Sequence, residues 1–200
     1  MKIENLAPGG FAACTYLVTK GPDAVLIDCA ASPAAIERAL TAQGATLRAI
    51  LLTHGHFDHI LTADAVRKHF GVPMLVHEAD AELPQDAFKN ASAVFDLSIT
   101  AAPPERCFTN GERLLFGELC FEVCHTPGHT AGCAVLFAED AAFTGDTLFH
   151  GGFGRTDLFS GNEAQLRASL RALSLYDPSF RIYPGHGSCA TLGDALNLLF

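Results

Sequence analysis

Four side chains able to ligate a metal fall within six positions of one stretch, Thr53-His54-Gly55-His56-Phe57-Asp58-His59. Random placement of the histidines and aspartates in a chain of this composition would give an HxHxDH pattern roughly once in a thousand sequences, so chance is a poor explanation. Three further stretches follow the same logic: Thr126-Pro127-Gly128-His129-Thr130, Thr144-Gly145-Asp146-Thr147 and Pro184-Gly185-His186-Gly187. Each comes after an apolar run that reads as a strand, and each sets its His or Asp beside a Gly or Pro that fixes a turn. A ligand just beyond a strand end is held rigidly at one edge of a sheet, where several such ends can converge. An isolated HxH would be equally consistent with a solvated surface turn; four such strand ends point to a shared site. Neutral imidazoles with a few carboxylates form a donor set that zinc prefers, with iron or manganese also compatible.

The elements that must position these residues can be read from the apolar pattern. Ala13 to Val18 and Ala24 to Ile27 flank the turn signal Lys20-Gly21-Pro22-Asp23 and predict a hairpin. Ser32 offers an N-cap and Pro33 suits the first helical position, Ile36 and Leu40 share a face, and Gly44 stops the helix. Arg48 to Thr53 predicts a buried strand, His59 to Phe70 a helix ending at Gly71, and Pro73 to Val76 another strand. From Asp86 to Glu105 periodicity is lost, which predicts a loop or short helices. Leu114 to Phe116 and Leu119 to Cys124 flank Gly117-Glu118 as a second hairpin, and strands over Cys133 to Phe137 and Ala141 to Thr144 continue a predominantly antiparallel sheet. Asn162 caps a helix whose buried stripe is Leu166, Leu170 and Leu173; Arg181 to Tyr183 is a last strand, and a closing helix runs from Gly193. Strand-rich segments alternating with single helices in both halves predict an α/β fold of two sheets with helices on their outer faces, a four-layer αββα sandwich, as one domain over residues 1–200.

Together these motifs resemble the metallo-β-lactamase fold superfamily, and within it the glyoxalase II-like (hydroxyacylglutathione hydrolase) branch, from residue 2 to about residue 198. The resemblance implies a first metal ion on His54, His56 and His129, a second on Asp58, His59 and His186, and Asp146 bridging the two. It implies hydrolysis of a small thioester such as S-lactoylglutathione by a metal-bound hydroxide, since coordination lowers the pKa of water from 15.7 to about 7. Asp58 is then also the candidate to orient that nucleophile or accept its proton. The Gly154-Arg155-Thr156-Asp157 run resembles the same branch: Arg155 is a candidate for a substrate carboxylate, with a loop brace to Asp157 the favoured alternative. Asp28, at an early strand end, looks like an orienter of a ligand histidine. The chain ends at Phe200 without the helical region that supplies glutathione-binding groups in full-length glyoxalase II, so it resembles the short single-domain members.

The competing reading is a mononuclear iron persulfide dioxygenase, which would use His54, His129 and Asp146; the completeness of Asp58, His59 and His186 favours the binuclear hydrolase. A non-catalytic metal-binding module is a further alternative, opposed by the lack of a closed cysteine-rich cage. The formal charge of -9 and the absence of a basic stripe oppose a nucleic-acid partner. Seven cysteines without a CxxC pair, no signal-like N-terminus and no long apolar run lead to an expected cytoplasmic protein with no membrane partner, which also counts against a β-lactamase. Nothing in the sequence specifies an oligomeric state. Cys120, Cys124 and Cys133 alternate with sheet residues, so a cysteine nucleophile is not expected. His69, His77, His125 and His150 stand outside the motifs and are assigned no catalytic role; of these His150 lies nearest the site in sequence.

Overall fold

The computed structural model describes residues 1–7 and 11–199. Its first half builds a six-stranded sheet in the order β1 (Lys2–Asn5), β2 (Tyr16–Lys20), β3 (Asp23–Ile27), β4 (Thr46–Leu51), β5 (Met74–His77) and β6 (Arg106–Phe108). The pairs β1/β2 and β2/β3 are antiparallel, and the rest are parallel. Parallel neighbours need crossovers, and here helices α1 (Pro33–Gln43) and α2 (Ala63–Phe70) provide two of them. The Ser32 side chain accepts from the Ala35 amide and Gly44 ends α1 at φ +61°, as the capping pattern predicts.

The second half builds the other sheet in the order β12 (Ala190–Thr191), β11 (Arg181–Pro184), β10 (Ala141–Gly145), β9 (Ala134–Ala138), β8 (Leu119–His125) and β7 (Arg113–Phe116). From β7 to β10 every pairing is antiparallel, as expected, but β10 and β11 run parallel because α3 (Glu163–Leu173) crosses between them. Asn162 caps α3 by accepting from the Gln165 amide at 3.0 Å. The closing helix is α4 (Leu192–Asn197).

Burial follows four layers. Tyr16, Val18, Ile27 and Leu51 of the first sheet meet Phe121, Val123, Leu136 and Phe143 of the second in a central apolar layer. The outer face of the first sheet (Leu26, Ile50, Met74) packs on Ile36, Leu40 and Val66 of α1 and α2. The outer face of the second (Val135, Phe137, Ile182) packs on Leu166, Leu170 and Leu196 of α3 and α4. This is the αββα arrangement the sequence pattern predicts, and it explains why β3 and β9 read as unbroken apolar runs: both of their faces are covered.

Three details differ from the sequence reading. Residues 13–15 do not extend the second strand, because the Ala13 and Cys14 amides turn to the Asp58 and Gly185 carbonyls at 3.2 and 2.7 Å. The expected helix over His59 to Phe70 divides into a 3-10 turn at Phe57–His59 and α2, a break that faces the histidines inward. The short strands β1, β6 and β12 carry too little periodicity to be read from sequence. No helix among the described residues is long and apolar enough to cross a membrane.

Phe121 is fully buried between the sheets. Phe121→Ala should therefore lower unfolding free energy by about 3–5 kcal/mol in a urea titration, with Phe121→Leu losing less.

Candidate metal centre

All seven residues expected to meet do meet, at the ends of β4, β8, β10 and β11 where the two sheets open toward one edge. His54 Nε2 lies 3.1 Å from His56 Nδ1, which lies 2.8 Å from His129 Nε2. The outer nitrogens fix the tautomers of two of the three rings, His54 and His129. His129 Nδ1 donates to the Arg155 carbonyl at 2.6 Å, and a carbonyl can only accept. His54 Nδ1 lies 3.2 Å from the Thr53 hydroxyl, which itself donates to Asp28 Oδ2 at 2.9 Å. Both Nε2 atoms are thereby left as lone pairs facing His56 Nδ1, an arrangement that a shared cation satisfies.

The second set is Asp58, His59 and His186. His186 Nε2 stands 3.0 Å from Asp58 Oδ2, and His59 Nε2 stands 3.8 Å from the same oxygen. His59 Nδ1 donates to Asp28 Oδ2 at 2.8 Å, so its Nε2 is the nitrogen turned into the cage. Asp146 lies between the sets: one oxygen is 3.3 Å from His59 Nε2, the other 3.5 Å from His129 Nε2 and 3.8 Å from His186 Nε2. His56 Nε2, His59 Nε2 and Asp146 Oδ1 are buried without a hydrogen-bond partner. Buried polar atoms without a partner are costly, and a divalent cation between His59 Nε2 and Asp146 Oδ1 would remove that cost for both. The donor set therefore fits metal ions, and three groupings of mutually close ligating atoms (His54/His56/His129, His54/His59/Asp146, Asp58/His59/His186) cover all seven residues.

Electrostatics divides the cage. Burial, then neighbouring imidazoles, hold His54 well below the ordinary histidine value, and burial with His129 pushes His56 down to about 3. For His59 burial also acts downward, but Asp28, Asp58 and Asp146 outweigh it and raise it well above the ordinary value. Burial would raise Asp146, yet His59 and its neighbours hold it below the usual carboxylate range. One side of the cage thus keeps its imidazoles neutral, while the carboxylate-rich side draws positive charge.

Two supports behind the cage were missed in the sequence. Asp80, fully buried, accepts from the Gly55 amide at 3.0 Å, the Thr130 hydroxyl at 2.7 Å and the Gly132 amide at 2.7 Å, tying the His54–His56 turn to the His129 turn. Nothing in the local Glu78-Ala79-Asp80-Ala81-Glu82 run distinguishes it from a solvated acid. Thr53 stands in the sequence as the first residue of the motif with no ligating group of its own, and its hydroxyl is the link between His54 and Asp28. Gly185 is required by close approach: a Cβ there would come within 2.6 Å of His59 Cε1.

The metallo-beta-lactamase superfamily profile matches residues 8–186, the span that carries every one of these groups. This chain belongs to the metallo-beta-lactamase superfamily. It is 34% identical to the hydroxyacylglutathione hydrolase GloC of Haemophilus influenzae, with 96% of this chain and 94% of that protein covered. Among solved structures it is similar to the BLEG-1 B3 metallo-beta-lactamase (TM-score 0.89, 33% identity, 98% and 97% covered) and to TTHA1623 in a di-iron-bound form (TM-score 0.84, 34% identity, 97% and 96% covered). ETHE1 from Myxococcus xanthus shares the fold at TM-score 0.75 and 27% identity, with 97% and 81% covered. The superfamily is one of metallo-hydrolases, and its fold implies divalent metal binding by the His/Asp cluster.

In this member of the superfamily the cage opens into a cavity of about 380 Å³ lined by His56, Asp58, His129, Asp146 and His186 together with a mainly apolar wall. Arg155 also lines it, but its guanidinium is held by both oxygens of Asp157 at 2.6 and 2.7 Å, the brace that the sequence reading favoured. His150 is exposed, with Nδ1 3.4 Å from the Ser188 hydroxyl. His77 and His125 stack at 4.0 Å away from the cage, His77 accepting from the Ala79 amide and His125 Nε2 donating to the Ala131 carbonyl.

Asp80→Ala strands three buried donors and should cost about 3–5 kcal/mol in denaturant unfolding, whereas Asp80→Asn keeps the shape and should cost less. Equal stability of all three proteins would show that Asp80 braces nothing. A separate expectation concerns His77, whose pKa burial and the adjacent His125 lower from 6.5 to about 4. The unfolded chain takes up this proton near pH 6.5 and the folded one only near pH 4, so stability falls as pH drops through that window. His77→Gln should flatten the stability slope there by one proton.

Proposed function

We propose that this chain is a binuclear metal-dependent hydrolase that cleaves a small thioester such as S-lactoylglutathione in the cytoplasm. The observation that carries the proposal is the completeness of both ligating sets around Asp146. The likeness to GloC supports the substrate class, and the donor chemistry favours zinc, with iron or manganese compatible. His54, His56 and His129 would hold one ion, Asp58, His59 and His186 the other, and Asp146 both. When bound, such ions supply Lewis acidity that polarises a carbonyl and ionises water near neutral pH.

The remaining work falls to the protein. Asp28, Thr53 and the Arg155 carbonyl fix which imidazole nitrogens face inward. Asp58 is our candidate to orient the attacking water or accept its proton. No additional general acid is needed, because a leaving thiolate has a conjugate acid of pKa about 8.5. The second reading, a persulfide dioxygenase with one iron on His54, His129 and Asp146, leaves Asp58, His59 and His186 without a task.

The test joins elemental analysis of the purified protein to three parallel assays: thiol release from S-lactoylglutathione, oxygen uptake with glutathione persulfide, and ring opening of a penicillin. Two metal ions per chain with thiol release are expected. One iron with oxygen uptake would move the function to sulfur oxidation, and penicillin turnover alone would make it a β-lactamase. Asp146→Ala should lower thiol release by at least about a thousandfold and reduce the metal content at both positions; undiminished turnover would overturn the bridging role.

A further inference from the structure

Three phenylalanines from separate segments meet at the mouth of the cavity. Phe11, Phe57 and Phe95 form a closed triangle with ring centroids 5.4, 5.6 and 5.5 Å apart. Phe57 is only 4% exposed and lies in the chain between His56 and Asp58, so the turn that aims those ligating groups also fixes its ring. Phe11 and Phe95 pack on it yet remain 57% and 44% exposed. Scattered exposed apolar residues need no explanation. A mutually packed set that lines the cavity over the cage does, since rigid aromatic surface left open beside a reactive centre costs apolar hydration until something covers it. Phe149 lines the same cavity, its ring 6.1 Å from that of His186.

Charge points the same way. Beyond the ligating groups, the one charged side chain among the described lining residues is Arg155, and Asp157 pairs with it along its Nε–Nη2 edge. The lining therefore offers one cation, already paired with Asp157, against the two carboxylates of a glutathionyl group.

We infer that Phe11, Phe57 and Phe95 are specificity-determining residues that bind an uncharged apolar group of the substrate, aryl or branched alkyl, carried on the acyl or the thiol side of the scissile bond. This rests on the hydrolase reading above and narrows its substrate class. Covering one ring-sized apolar group favours such a substrate by roughly ten- to a hundredfold.

The metal-loaded enzyme is assayed with two series: phenylacetyl against lactoyl thioesters of glutathione, and lactoyl thioesters of benzyl mercaptan against glutathione. Calorimetric binding of phenylacetate against acetate gives a readout that does not depend on turnover. The expected result is an aryl preference of at least about tenfold in kcat/KM in one series, which also tells which side of the bond meets the wall. Phe95→Ala should reduce that preference about tenfold and Phe95→Leu less; because the preference is a ratio, the folded fraction cancels. Thioester cleavage with no aryl preference in either series, or a ratio unmoved by Phe95→Ala, overturns the wall and leaves the reaction standing. No thioester cleavage, with phenylacetate still preferred over acetate and that preference lost in Phe95→Ala, overturns the thioester reading and leaves the wall standing; no preference in binding either removes both.

Discussion

Asp28 anchors the cage through one buried carboxylate. Its oxygens take the Thr53 amide at 2.8 Å, the Thr53 hydroxyl at 2.9 Å and the His59 Nδ1 proton at 2.8 Å. Through Thr53 it also sets His54, so one side chain fixes a histidine in each half of the cage. To reach this position Asp28 adopts φ +57°, a left-handed conformation that Asp tolerates better than most residues but that still costs free energy. The cost is acceptable because a mis-rotated imidazole would present an N–H where a lone pair is required.

The scaffold answers a demand that no local segment can meet. Five imidazoles and two carboxylates must stand within a few ångströms with their inner atoms unpaired, which is repulsive until a cation is shared. The opposing force comes from the dry layer between the sheets and from bonds that join the strand ends. Ala134 N donates to the Thr53 carbonyl at 2.9 Å, Gly185 N to the Gly145 carbonyl at 2.9 Å, and Tyr16 OH to the Pro184 carbonyl at 2.8 Å. Asp80 adds a second buried carboxylate behind the histidines. Rigid outer partners and free inner lone pairs are the two conditions of a preorganised metal site.

The chain's acidic balance is compatible with this design, since a pair of divalent cations would offset up to four of the -9 formal charges. The chemistry is thereby concentrated in the cage, and the mouth is free to be apolar. Arg155 illustrates the division: its backbone carbonyl orients His129 while its side chain is spent on Asp157.

The amino-acid sequence by itself determined the layers and the seven residues that meet in the cage, because both rest on local signals. Apolar runs, capping residues such as Ser32 and Asn162, and Gly beside His54, His56, His129, Asp146 and His186 are all visible within a few positions. Tertiary structure decided what depends on partners distant in sequence. The 3-10 break at Phe57–His59 follows from histidines turning toward Asp28, and the parallel pairing of β10 and β11 follows from where α3 packs. The short strands β6 and β12 exist only because a neighbour offers them an open edge. Asp80 and Phe95 show the limit most directly: one looks like a surface acid and the other like a loop aromatic, and each meets its partners only when segments tens of residues away close on it.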